Sequence, residues 1–229
     1  MSGNIFKIII VFIVGAAGGV LGGQVFNKYI ISEDYPVSIT ENKEIIVQEN
    51  TALQDAVEKV KNSLIGIETK LSSGKIISGS GLALTSDGLM VTLSELVPKG
   101  TSSTFFVDGK NPEYKVLKKD QNLNLALLKL EEDELQSCGF SDPQELRLGQ
   151  RVFLLGMIFP ESGKTLMANQ GIVKYFTGDY IRTNIFETKA LSGSVLFNIK
   201  GELIGLNFID SQGVVTAIPV DRIRGFIGL

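Results

Sequence analysis

From residue 64 onwards the chain is a succession of short apolar runs, each closed by a turn signal: SLIGIETKL, KIISGSGLALT, LMVTLSELV, STFFVDG, YKVLKK, NLALLKL, RVFLLGMI, NQGIVKYF, YIRTNIFE, GSVLFNI, GELIGLNFI and GVVTAIPV. The turns include Ser86-Asp87-Gly88, Asp108-Gly109, Thr177-Gly178-Asp179 and Lys200-Gly201, residue types that accept the backbone angles a tight reversal needs. Some twelve strands so spaced predict a mostly β fold, a barrel or sandwich. They divide on either side of EDELQSCGFSDPQEL, a polar, proline-bearing link. Two six-stranded halves are therefore expected, the first over about 64–132 and the second over 147–220. VDRIRGFIGL reads as a short closing helix. Before the strands, Thr51 and Gln54 have capping-box spacing, and Leu53, Val57, Val60 and Leu64 give a short helix one apolar face.

The N-terminus has different chemistry. Ile8 to Asn27 is a run of 20 residues without a charge, the length a helix rising about 1.5 Å per residue needs to cross a bilayer. It reads as an uncleaved transmembrane helix, and residues 1–27 as a membrane anchor. A cleaved signal peptide is the rival, although its apolar region is usually shorter. Gly15, Gly19 and Gly23, with Gly18 and Gly22, form a small-residue flank that suits close helix approach or reflects membrane-helix composition alone. Lys7 precedes the run, whereas Lys28 is followed by Glu33 and Asp34, so the charge bias places the N-terminus in the cytoplasm and the rest outside it. Residues 28–49 read as a linker and 50–229 as the folded domain.

Composition removes several function classes. Lys plus Arg number 22 against 25 Asp plus Glu, a net charge of −3, and no basic footprint for nucleic acid appears. There is one cysteine, Cys138, and no histidine, which excludes an intramolecular disulfide and takes away the commonest zinc ligand. No metal or cofactor is expected, and Cys138 reads as a partly buried small apolar residue. ESGKT at 161–165 ends like a phosphate-binding loop, but six residues separate Gly156 from Gly163 and a strand pattern follows where a helix is required. A solvent-exposed loop is expected there.

TKALSGSVLFNIKGELIGLNF, 188–208, places Ser192 in a small-residue turn before a strand and hairpin. With SGSGLALTSDGLMVTLSELV (78–97), DQNLNLALLKL (120–130), LRLGQRVFLLGMIFP (146–160), NQGIVKYF and VVTAIPVDRI (214–223), it resembles, block by block and in order, the trypsin-like serine proteases of the HtrA (Deg) type. The resemblance covers roughly 50–226 and implies that the two halves are six-stranded antiparallel β-barrels of the chymotrypsin-like kind, about 64–132 and 147–220. Carried over position by position, it puts Ser192 at the nucleophile, Glu95 at the histidine, Asn124 at the aspartate, and the amides of Ala190 and Ser192 at the oxyanion hole. Ala190 stands where the family has glycine, Leu191 where it has a polar residue, and Ser194-Val195 where it has glycine-proline.

A serine in such a triad works because a histidine takes its proton and a carboxylate orients the ring. Removing a member costs on the order of 10⁴–10⁶ in turnover. Glu95 would need burial to serve as base, and Lys189 would need burial and an inward side chain. The leading expectation is therefore a degenerate, membrane-anchored pseudoprotease that binds a peptide or protein without efficient hydrolysis, since strand addition needs only main-chain hydrogen bonds. One alternative is an active serine endopeptidase using Ser192 with an unconventional base; another is a structural or assembly protein with a vestigial cleft. Many HtrA-like proteins continue into a peptide-binding PDZ domain, and none is expected within this chain. Trimers in the resembled family make a homo-oligomer an expectation to test.

Overall fold

The computed structural model describes residues 2–29 and 51–229, and the chain falls into two compact units, Met1–Val47 and Gln48–Leu229. In the first, helix α1 spans Ser2–Tyr29, with side chains described at residue 10 and residues 13–25. Ile10, Ile13, Val14, Val20, Leu21 and Val25 are exposed. Among the described residues no helix is long and apolar enough to cross a membrane, so the expected transmembrane span rests on the sequence. Most of the expected linker, from residue 30 on, lies outside the described residues.

The second unit opens with helix α2, residues 51–60. Its expected apolar face is turned inward: Ala56 and Val60 are buried, and Leu53 and Val57 pack on the same core. Lys59 Nζ donates to the Lys200 carbonyl at 3.0 Å, tying the helix to a distant turn.

Each of the twelve apolar runs forms a strand. The first six are β1 (Leu64–Lys70), β2 (Ile76–Ala83), β3 (Leu89–Leu93), β4 (Ser102–Phe106), β5 (Tyr114–Asp120) and β6 (Leu125–Leu130). They pair antiparallel in the order β4-β1-β2-β3-β6-β5. The other six are β7 (Arg151–Ile158), β8 (Thr165–Phe176), β9 (Ile181–Phe186), β10 (Val195–Asn198), β11 (Leu203–Ile209) and β12 (Val214–Pro219), and these close into a barrel. Helix α3, Val220–Ile227, ends the chain with Val220, Ile223 and Phe226 buried.

The expectation of two closed barrels is corrected for the first half, which is an open six-stranded sheet curved into a half-barrel. Closure requires β4 to pair with β5, and local chemistry prevents it. The Ser103 N–H on the outer side of β4 donates to the Tyr114 hydroxyl at 3.3 Å instead of to a strand carbonyl. The Tyr114 ring packs against Phe105 with centroids 4.6 Å apart. Pro112, just ahead of β5, has no N–H to start a ladder.

One buried cluster runs through both halves, with Phe105, Phe153 and Phe197 among its largest fully buried side chains, and a second, including Leu154, Leu191 and Leu196, lies within the closed barrel. Strand β2 joins the two sheets. Ser80 Oγ accepts from the Met157 N–H at 2.7 Å, and the Ser80 N–H donates to the Ser192 carbonyl at 3.0 Å. The turn that carries Ser192 is thus bolted to the first sheet. ESGKT falls in the exposed β7–β8 connection and the first residue of β8, as a loop between strands should.

Candidate functional site

The Ser192 turn is built from a single 3-10 turn, Lys189–Leu191, between β9 and β10. Ala190 lies inside it and is not among the residues of positive φ, whereas Gly193 has φ +76°. Alanine avoids the left-handed region that glycine enters freely, and at residue 190 the chain takes the tight helical turn. Its consequence is local and chemical. The Leu191 N–H donates to the Thr188 carbonyl at 3.0 Å and the Ser192 N–H to the Lys189 carbonyl at 3.1 Å. An oxyanion hole needs backbone N–H groups aimed at the position of developing charge, and the Ser192 amide is instead spent within its own turn.

Gly193 cannot be replaced cheaply. A Cβ there would lie 2.1 Å from the Ser80 carbonyl oxygen and 2.8 Å from Leu96 Cδ1. The same leucine crowds Gly79, where a Cβ would lie 2.6 Å from Leu96 Cδ1 and 2.4 Å from the Ser192 carbonyl oxygen. Leu96 is itself buried, and it fills the space between the two glycine backbones. Leu191 is buried in the core of the second barrel.

Asn207 on β11 holds the far side of the turn. Its carbonyl accepts from the Gly193 N–H at 2.8 Å and its N–H donates to the Ser194 carbonyl at 2.8 Å. Its Nδ2 donates to Ser194 Oγ at 3.1 Å. The Asn207 Oδ1 atom is buried without a partner in the structure. Ser192 is buried at 4% exposure and Ser194 at 0%.

Glu95 and Asn124 are brought together, though through the backbone of one and the amide of the other. Glu95 sits in a 3-10 turn, Ser94–Leu96, directly after β3. Asn124 begins the return into β6 with φ +53°, a region that asparagine tolerates better than most residues. Its Oδ1 accepts from Ser94 Oγ at 3.0 Å and from the Glu95 N–H at 3.1 Å. The Glu95 side chain is exposed, and so is Lys189. Neither has the buried setting that a carboxylate or ammonium serving as a general base requires.

Beside Asn124 lies a cavity of about 330 Å³, lined also by Leu123, Tyr180, Phe208, Ile218 and Arg222. Arg222 spans from α3 to the β8–β9 turn, where its Nε donates to the Gly178 carbonyl at 2.8 Å and its guanidinium pairs with Asp179. Among the described residues no group of three or more histidine, cysteine or carboxylate side chains converges as a metal site would. Burial pushes the Cys138 thiol up to about 11, which keeps it protonated and unreactive at neutral pH.

The model of the trypsin-like peptidase domain matches residues 79–206, the stretch from the strand that carries Ser80 through the Ser192 turn to β11. The chain belongs to the trypsin-like peptidase family, HtrA type. It is 27% identical over 213 residues to Serine protease HTRA1A of Danio rerio, covering 83% of this chain and 43% of that protein. It is 32% identical over 189 residues to Serine protease HTRA4 of Mus musculus, covering 75% of this chain and 39% of that protein. A probable periplasmic serine endoprotease, DegP-like, of Rhizobium meliloti is 29% identical over 154 residues, covering 62% and 31% respectively. The chain thus spans less than half the length of these relatives.

The sequence blocks pointed to residues 95, 124, 190 and 192 and passed over the residues that hold them in place. Leu96, Asn207 and Ser94 do structural work that no motif announces. Ser80 lay within the glycine-serine-glycine block, where close backbone approach was the available signal.

Proposed function

We propose that this chain is a non-hydrolytic HtrA-type protease homologue that binds peptides or proteins. In this reading Ser192, Glu95 and Asn124 are the inactive equivalents of nucleophile, histidine and aspartate, and the amides of Ala190 and Ser192 those of the oxyanion-hole donors. One observation carries it: in a chain with no histidine, the Ser192 amide is bonded to the Lys189 carbonyl. Base and oxyanion donor are lost together, and each contributes about 10²–10⁴ in rate where it is present. The fold remains because the turn serves packing. Ser192 accepts from Ser80 through its carbonyl, and Gly193 meets the Ser80 carbonyl at a distance that admits no side chain.

The proposal extends to location. The uncharged run from Ile8 to Asn27 anchors the chain, and the charge bias across it puts the folded domain outside the cytoplasm. Alkaline carbonate extraction of membranes should leave the full chain in the pellet; its quantitative release would contradict the anchor.

The catalytic part is tested by exposing the detergent-solubilised full chain to a fluorophosphonate probe beside Ser192→Ala. Labelling no faster than in the Ser192→Ala protein is expected. Rapid labelling that depends on Ser192 would return the chain to the active serine endopeptidases.

A further inference from the structure

The open side of the first sheet leaves one long strand edge, and its chemistry differs from an inert border. Hydrogen bonding fixes which backbone groups of β5 face outward. The Glu131 N–H donates to the Glu113 carbonyl at 2.8 Å, and the Leu130 N–H turns the other way, to Gly88, at 2.8 Å. Lys115 therefore faces Lys129 as a bonded pair, while Tyr114 and Val116, opposite Leu130 and Leu128, direct their N–H and C=O groups away from β6. No described residue pairs with those outward groups. Val116 and Leu117 are 42% and 49% exposed, and a bulge between Val116 and Lys118 ends the regular edge.

Between Glu113 and Asp120 every charged residue of this edge is a lysine. Lys115 and Lys118 are exposed on β5, on the sheet face that also carries Lys129. Lys119 follows, its ammonium pushed down by burial and then by the nearby Lys99. Lys118 is held by the Phe226 carbonyl and lies over the Phe226 ring, and Lys129 pairs with Asp87, whereas Lys115 makes no side-chain bond to a described residue. The acidic residues Glu113 and Asp120 stand at the two ends of the strand, and Glu131 faces Glu113.

We propose that the outer edge of β5 is the docking strand for an extended acidic peptide segment, which adds to the first sheet as a seventh strand. This rests on the reading of the domain as a non-hydrolytic binder. Outward N–H and C=O groups of Tyr114 and Val116 supply main-chain hydrogen bonds, as in strand addition generally. Carboxylates of the incoming strand lie across from Lys115, and its alternate apolar side chains cover Val116. The lysines also decide against a second copy of this chain: pairing β5 with itself sets lysine against lysine, which edge strands use to block self-association.

Fluorescence anisotropy with the full chain in detergent at low salt tests this. The probe is a fluorescein-labelled ten-residue peptide alternating glutamate and valine; its comparisons alternate lysine and valine, or carry an N-methyl group at every backbone nitrogen. The acidic peptide should bind, Lys115→Glu should weaken it about tenfold, and the N-methylated form should not bind. A Lys115→Ala protein with an unchanged thermal midpoint guards against a folding artefact, and it too should weaken binding. No binding, equal binding of the basic peptide, or indifference to both Lys115 changes would overturn the assignment. Ser192-dependent cleavage of the probe would overturn the non-hydrolytic reading alone, leaving the edge to stand or fall with the Lys115 series.

Discussion

The two halves of the domain have the same number of strands and have kept different things. The second closes completely, and its nucleophile turn is so tightly fitted that Gly193 has the Ser80 carbonyl where a Cβ would be. The first stays open between β4 and β5, and its Glu95 side chain is in solvent while Asn124 serves the backbone. Packing explains the contrast. Ser192 and its neighbours are enclosed by both sheets, so changes there strain the fold, whereas the side chain at 95 points into water and its replacement costs the fold little.

The largest effect is expected at the Ser192 turn itself. Gly193→Val should destabilise the domain by about 4 kcal/mol or more, adding a backbone collision to the strain of positive φ. Gly149→Ala, at φ +75° with open space around its Cβ, should cost only about 1 kcal/mol. Urea unfolding of the two proteins separates collision from conformation, and equal losses would mean that the turn is not wedged between the sheets.

Leu96→Ala comes next. The side chain is 3% exposed and fills the space between Gly79 and Gly193, so its loss should cost about 2–5 kcal/mol in the same assay. Asn124→Ala should cost about 1–3 kcal/mol, because the Ser94 hydroxyl and the Glu95 N–H lose their acceptor. Asn124→Asp keeps an acceptor at that place and should be nearly neutral in stability. If Asn124→Ala were neutral as well, the two bonds to its Oδ1 would not be holding the turn after β3.

The smallest effect concerns acid. The Val214 N–H first, then the Gln212 N–H and Arg182, hold the Asp210 carboxyl below its ordinary value, against desolvation. A folded-state pKa below the unfolded one contributes stability that is fully present above the unfolded value, near 3.8, and is lost as pH falls through the folded value. Asp210→Asn should therefore flatten the stability profile below about pH 4 and leave its shape at neutral pH unchanged. An identical acid limb in both proteins would contradict this.

Much of the fold was legible because each strand announces itself locally. Asp108 and Gly109, for instance, both have positive φ, as a tight reversal between β4 and β5 demands. The closing of a barrel is a different kind of fact. Whether β4 reaches β5 depends on the Tyr114 hydroxyl and ring, which act across the chain and leave no periodic trace. The candidate site divides in the same way. The motif blocks pointed to residues 95, 124 and 192, but the direction of the Ser192 amide follows from the conformation of Ala190, which becomes visible only when the turn is built. Asn124 illustrates the limit best, since its identity suggested a lost carboxylate while its geometry gave it two donors to hold.

We propose that the peptidase fold persists here without peptide hydrolysis. Incubating the full chain and its Ser192→Ala variant with a mixed-sequence peptide library, and counting new termini by mass spectrometry, decides this. Indistinguishable cleavage by the two proteins is expected; cleavage that is abolished by Ser192→Ala would overturn the proposal.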